Sequence, residues 1–352
     1  MEKRIKQCIG IDCAQDELVC SFGIMNENFD ERIISNTKFK NNPTGFEKLL
    51  KWNQKLSGPE VEVSFVIEAT GVYHERVAVY LFENKCKISV VLPNKIKAFA
   101  GTLKVKTVND KECAKIIAQF GLEKKLELWQ PPHEVFNEMR QLTRERDQLI
   151  TEQTMKKNQL HAETSGAWPN KGSIKRIKQV LLILKKQIKE IEKEIRDLIG
   201  SNSWLNEKIK KLCSIKGVGT LTAATVVGET NGFNLIRNKS QLVSYAGLDV
   251  IEKESGTSVR GKPRISKRGN KYLRKCLHFP ALSSVKHYAH SKNLYKRIVS
   301  KSGIKMKGAV AVQRKILVLM YVLWKKDEFF NPDYHLIKKE ELHQGEALRE
   351  LA

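Results

Sequence analysis

At 352 residues the chain is long enough for two or three domains with cores of their own, and 41% hydrophobic with 29% charged residues excludes a disordered or fibrous class. A formal net charge of +24 and an isoelectric point near 9.7 predict a polyanionic partner, since clustered Lys and Arg gain affinity by displacing counterions from phosphates. There is no signal-peptide pattern, the apolar run from Ile316 to Trp324 is too short to span a bilayer and reads as a buried helix, and seven cysteines without a CxxC pair argue against disulfides and structural zinc. A protein of a reducing cytoplasm with no membrane partner is expected.

Strand-like runs at Gln7 to Cys13, Leu18 to Met25, Arg32 to Phe39, Val61 to Glu68 and Lys87 to Leu92 are joined by helix-like stretches near 44–55, 73–84 and 110–120. The first two strands are separated only by AlaGlnAsp and should form a hairpin. Three early strands followed by alternating helices and strands is the order of a ribonuclease-H-like α/β sheet. Apolar runs in this region end on carboxylates: Asp12 in CIGIDC, Glu68 in SFVIEATG and Asp110 in TVNDKECA. Two-metal phosphodiester chemistry needs carboxylates that hold two cations roughly 4 Å apart. Asp12 and Glu68 on neighbouring strands, with Asp110 at the start of a helix, meet that need. Taken singly, Asp12 also reads as a strand end and Asp110 as a helix N-cap.

ProPro at 131 and 132 ends this region. A helix from about 133 to 164 and a second with apolar residues at 174, 177, 181, 184, 188, 191, 195 and 198 are joined by the breakers of 165–172. That predicts a helical hairpin with a coiled-coil seam, serving either as an intramolecular spacer or as a dimerising element. The remainder is helical and basic, giving the expected divisions 1–130, 131–203, 204–335 and a charged tail at 336–352. Within it, IKGVGTLTAAT at 215–225 has the shape of a helix-hairpin-helix turn, in which Lys216, Gly217 and Gly219 would face a DNA phosphate. From 253 to 275 nine Lys or Arg accompany one acidic residue in a loop-like stretch. Arg260, Lys262, Arg264, Lys267, Arg268, Lys271 and Arg274 are its candidate nucleic-acid contacts. Small hydroxyls at Ser255, Thr257, Ser258 and Ser266 lie among them, and a serine there could attack phosphorus while neighbouring cations stabilise the developing charge.

These residues together resemble the IS110-type DEDD transposases of insertion sequences. IGIDCAQDELVCSFG resembles the family's opening hairpin, VIEATGVYHERVAVYLFENKCKISVVLPNKIKAFA its second acidic motif and KTVNDKECAKIIAQFG its third. LCSIKGVGTLTAATVVGE, FNLIRNKSQLVSYAGLDV, ESGTSVRGKPRISKRGNKYLRKCL and KGAVAVQRKILVLMYVL follow the family's second domain in order. The resemblance implies a RuvC-like ribonuclease-H domain, a coiled-coil hairpin and a mainly helical transposase domain. It also implies a site of Asp12, Glu68 and Asp110 holding Mg2+, two ions per site with Mn2+ as a substitute, and a nucleophilic Ser255 with Ser266 as second choice. Implied partners are donor and target DNA, a structured guide RNA encoded by the element, and further copies of the chain in a dimer or tetramer, whose acidic and serine halves could meet between subunits.

One position departs from the pattern. The family places a fourth aspartate three residues after the third, where this chain has Cys113, and Glu112 beside it is the candidate substitute. A thiolate is a poor partner for Mg2+. Besides a transposase, two readings stay open: a metal-dependent nuclease of branched DNA without a covalent serine step, and an inactive nucleic-acid-binding relic.

Overall fold

In a computed structural model, residues 3–334 are described apart from 60, 104–108, 235, 253, 256–258 and 262, with 255, 259 and 260 described by backbone alone. The expected tail at 336–352 and the candidate Lys262 lie outside the described residues. The chain divides at the ProPro step into two compact units, 1–131 and 132–352.

The first unit is built on strands β1 (Arg4–Cys13), β2 (Glu17–Asn26), β3 (Glu31–Lys40), β4 (Val63–Glu68) and β5 (Lys87–Val91), with α1 (Pro43–Leu56), α2 (Glu75–Glu83), α3 (Pro93–Ala100) and α4 (Asp110–Glu123). The sheet order is β3-β2-β1-β4-β5, antiparallel through the first three strands and parallel from β1 outward. Strand alternation sends successive side chains to opposite faces, and the sheet is covered on both. Ile9, Ile11, Phe65 and Ile67 pack with Phe46 and Leu49 of α1 and with Val77 and Leu81 of α2. Cys8 and Val66 pack instead with Ile96 and Phe99 of α3 and Ile117, Phe120 and Leu122 of α4. The five expected strands are present. Helix α3 was not expected, because eight residues burying only Ile96 and Phe99 are too short to print a helical period.

Helix α4 lies against β1 more closely than side chains normally permit. A Cβ on Gly10 would overlap the backbone of Ala114 and Ala118, and one on Gly121 would overlap Cys8 and Val66. The small stripe Ala114, Ala118 and Gly121 therefore meets the small stripe Cys8 and Gly10, backbone almost on backbone.

The second unit begins with two long helices, α5 (Glu134–Ser165) and α6 (Lys171–Gly200), in a hairpin. Ile177, Leu184, Ile191 and Ile195 of the expected seam are buried, and Arg146 pairs with Glu192 across the two helices at 2.7 Å. Phe136 and Met139 of α5 and Ile191, Ile195 and Ile199 of α6 join a core shared with all the helices that follow, so the hairpin's base is part of this unit. Those helices are α7 (Ser203–Cys213), α8 (Thr220–Glu229), α9 (Lys239–Tyr245), α10 (Lys271–Cys276), α11 (His278–His287), α12 (Ala289–Ser302) and α13 (Lys305–Lys326). The run from Ile316 to Trp324 is a buried face of α13, and among the described residues no helix is long and apolar enough to cross a membrane.

The stretch expected to be loop between α9 and α10 is a narrow arm. Its lower rung pairs β6 (Val250–Ile251) with β9 (Arg264–Ile265), and its upper rung pairs β7 (Glu254–Ser255) with β8 (Val259–Arg260). Two-residue ladders leave no alternation in the sequence to read.

Replacing Gly10 by alanine is expected to cost about 1 to 3 kcal/mol of stability or more, since the clash is with backbone that cannot repack. Urea unfolding of the variant measures this; a loss below about 0.5 kcal/mol would mean that α4 does not lie this close to β1.

Candidate active site

Parallel pairing of β1 and β4 matches Ile11 with Ile67, so the next residues on the two strands are Asp12 and Glu68. Both lie two residues beyond positions that face α4, Gly10 on β1 and Val66 on β4, and alternation turns them to that same face. The close approach at Gly10 fixes the direction of α4. Ala114 and Ala118 meet Gly10 while Gly121 meets Cys8, so the N-terminus of the helix points to the carboxyl end of β1. Asp110, one turn before Ala114, is thereby brought to the strand ends.

The electrostatics report this grouping. Burial raises the Asp12 carboxyl above its ordinary range, and Asp110 raises it further, opposed only by the Cys13 backbone N–H. Glu68 is raised by burial and then by Asp12. The charges that shift these two groups are all negative. Burial also raises the Cys113 thiol, as do Asp12, Glu68, Asp110 and Glu112, which keeps it neutral. Cys13, on the opposite face of β1, is pushed to about 12 by burial, Asp12 and Glu68.

The α4 N-cap is Asn109, whose side chain accepts from the Glu112 N–H at 2.9 Å, and Asp110 is the first residue inside the helix. The capping role that Asp110 could have had is thus taken by its neighbour. Glu112 is paired with Lys115 at 2.6 Å and does not figure among the charges that shift Asp12 or Glu68. It is Cys113, three residues on, that shares their field. Among the described residues no three His, Cys, Asp or Glu side chains close into a metal cage. Asp12, Glu68 and Asp110 form an open acidic edge of hard oxygen donors with a surplus of negative charge, a donor set that suits a divalent cation; the neutral thiol does not.

In the second unit the backbone of Ser255 pairs with Val259 in the upper rung of the arm. Its side chain and that of Arg260 lie outside the described residues. Ser266 sits at the foot, where its hydroxyl donates to Asp249 at 2.6 Å and its N–H to the Asp249 carbonyl at 2.8 Å. Both bonds tie Ser266 to the foot of the arm. Arg264 and Lys267 are exposed on the rim of a groove of about 920 Å³ with an aliphatic floor, and Arg268 and Lys271 are exposed nearby. Arg274 is partly committed to the fold: its Nη1 reaches the carbonyls of Ala246, Gly269 and Asn270 at 2.8 to 3.2 Å. Gly217 likewise has a packing role. It holds φ at +99°, and a Cβ there would meet the Pro280 carbonyl at 2.5 Å, so α11 covers it. Gly219 stands in open space as the N-cap of α8, and Lys216 is exposed beside it.

Two family models match the chain, a DEDD model of the IS110 type described as Transposase over residues 9–169, and one described as Transposase IS116/IS110/IS902 family over residues 209–296. The chain belongs to the IS110 family of transposases. It is an enzyme of DNA transposition and recombination. The first match contains Asp12, Glu68 and Asp110, and the second contains the serine arm. Two relatives extend over nearly the whole length: pilin gene-inverting proteins of Moraxella bovis, 28% identical over 335 residues, and of Moraxella lacunata, 28% identical over 338 residues. Each alignment covers 94% of this chain and 99% of the relative. Among solved structures, Thermus thermophilus RuvC in complex with a Holliday junction substrate overlays 35% of this chain and 99% of its own at 12% identity and a TM-score of 0.26. An Aquifex aeolicus member of the Ppx/GppA family overlays 96% of this chain and 98% of its own at 11% identity and a TM-score of 0.21.

A raised folded-state carboxyl pKa means that the cation-free first unit is most favoured at acid pH, and that this contribution is lost as pH rises through the raised values. Asp12→Asn removes one of the repelling charges and is expected to raise the melting temperature in EDTA at neutral pH by about 3 °C; thermal unfolding with a lowered midpoint would show that Asp12 has a compensating partner. Cys113→Asp adds a hard ligand and is expected to recombine a plasmid substrate at least as well as the native chain. A sharp loss would assign the cysteine a role of its own.

Proposed function

We propose that this IS110-family transposase breaks and rejoins DNA with two chemically different groups, the acidic edge of the first unit and Ser255 on the arm of the second. The observation that carries the reading is the convergence of Asp12 and Glu68, at the ends of adjacent parallel strands, with Asp110 at the start of α4. We read the five-stranded unit as a RuvC-like ribonuclease-H fold, which agrees with its strand order.

Attack of the Ser255 hydroxyl on a DNA phosphorus forms an Oγ–P bond and breaks the P–O bond to one deoxyribose, whose oxygen leaves with the proton that serine gave up. Rejoining is the reverse, with a sugar hydroxyl from a different strand displacing the serine. The phosphodiester energy is kept in the protein link, so the exchange needs no outside energy source. A divalent cation, Mg2+ or Mn2+, bound by Asp12, Glu68 and Asp110 would supply Lewis acidity toward a phosphoryl oxygen. The carboxylates' own part is to orient and to select. Their uncompensated charge repels a phosphate in the absence of a cation, which holds the edge inactive until it is loaded.

Exposed Lys216, Arg264, Lys267, Arg268 and Lys271 offer contacts to phosphates rather than to base edges. Sequence choice on that account comes from elsewhere, and the family resemblance points to a structured RNA pairing with donor and target DNA. We place the working enzyme in an oligomer, dimer or tetramer.

Ser255→Ala is expected to abolish strand exchange and protein-linked DNA while DNA binding persists. Cleavage that survives the substitution would favour the nuclease without a covalent step. Binding to a DNA duplex is expected to weaken about tenfold or more between 50 and 200 mM salt; a flat response in a filter-binding titration would remove the basic arm from phosphate contact.

A further inference from the structure

Glu229, the last residue of α8, is 3% exposed. A buried carboxylate persists only when it is paired and hydrogen-bonded. Arg144 of α5 forks onto it, Nε to Oε1 at 2.6 Å and Nη2 to Oε2 at 2.8 Å. Asn270 Nδ2 donates to the same Oε2 at 2.6 Å, and the Tyr245 hydroxyl donates to the Glu229 carbonyl at 2.9 Å. The Tyr272 ring lies 4.8 Å from the Arg144 guanidinium, and Lys275 pairs with Asp147 of α5 at 2.5 Å.

These partners come from two places. Arg144 and Asp147 are neighbours on one face of α5. Tyr245 immediately precedes the arm, whereas Asn270, Tyr272 and Lys275 immediately follow it. The two roots are also closed on one another, by the Asn270 N–H to the Tyr245 carbonyl at 2.7 Å and by Arg274 to the Ala246 carbonyl at 2.8 Å. An ion pair that only stabilised α8 on α5 would need Arg144 alone. Here Glu229 spends its remaining bonds on both roots of the arm. Rungs of two residues cannot hold themselves in place, so the direction of the arm is set at its foot.

We propose that Glu229 is a positioning residue for strand transfer: it clamps the foot of the serine arm to helix α5, making the arm and the base of the long hairpin one mechanical unit. The role rests on the reading of Ser255 as nucleophile. A displacement of about 1 Å at the attacking atom is enough to cost on the order of a hundredfold in rate, which is why a clamp two rungs away matters to chemistry.

The clamp can be tested by exchanging polarity across it in the full-length protein. Asn270 Oδ1 caps α10 by accepting from the Tyr272 and Leu273 N–H groups at 2.9 and 3.2 Å. Asn270→Asp keeps that cap but sets a carboxylate against Glu229. Glu229→Gln removes an acceptor that Arg144 and Asn270 both need. In the double variant the amide introduced at position 229 can donate to the carboxylate introduced at position 270 while its oxygen accepts from Arg144 Nε, so the bond to the root is regained and only the Nη2 bond of the fork is lost.

Each single variant is expected to lower plasmid recombination about tenfold or more and to speed amide exchange across 244–252 and 263–276. The double variant should exceed either single by about threefold or more on both readouts. Native exchange and activity in the singles, or a double variant no better than either single, would overturn the clamp. A parallel Ser255→Ala protein separates the two readings. If it recombines normally the nucleophile assignment fails, and the exchange data alone then decide whether Glu229 anchors the foot.

Discussion

The packing of α4 directly onto β1 at Gly10 is the contact on which the rest of the first unit depends. Without a side chain at Gly10 the helix backbone approaches the strand, and the stripe of Ala114, Ala118 and Gly121 lets it stay there along its length. That approach orients the helix, and the orientation delivers Asp110 and Cys113 to the end of the sheet where β1 and β4 release Asp12 and Glu68. The acidic edge is therefore a by-product of close packing between a strand and a helix distant in sequence. It is also a strained charge arrangement. Burial and mutual repulsion act on Asp12 and Glu68 in the same direction, so the unit gives up stability at this edge, a trade that fits the proposed cation site.

The second unit solves a different problem. On the proposed reading it presents a serine on a thin arm beside exposed cations, and thin arms with few apolar contacts are the least stable parts of a fold. The solution is at the roots. Arg144, Asn270 and Tyr245 form a polar cluster around buried Glu229 beneath the arm, and Ser266 and Asp249 join its lower rung. Arg274 fits the same logic, since its Nη1 bonds backbone carbonyls of the foot.

Much of this was legible in the sequence, for identifiable reasons. Apolar runs bounded by turn residues announced the five strands, and their terminal carboxylates announced Asp12 and Glu68. The three-four spacing of isoleucines and leucines announced α6. Cys113 was legible as a departure only through the family resemblance, which implies an aspartate three residues after the third acidic residue. What stayed hidden depends on partners far along the chain. Glu229 ends an apolar helix and reads as an ordinary exposed terminus, yet its partners are 85 and 41 residues away. Arg274 reads as one more cation in a basic run, and only the fold shows which carbonyls it faces. Gly217 reads as a phosphate-binding glycine, but α11 already occupies the space in front of it. The GlyAsn step at 269 and 270 did carry a signal, that of an N-cap before α10, and it was the neighbouring charge that obscured it.

The central claim is that the contact at Gly10 assembles Asp12, Glu68 and Asp110 into one cation-binding edge. Anomalous diffraction from crystals soaked in Mn2+ tests it most directly. The account predicts a manganese peak bounded by oxygens of these three carboxylates. Manganese at saturating concentration bound only elsewhere, with these carboxylates bare, would contradict it.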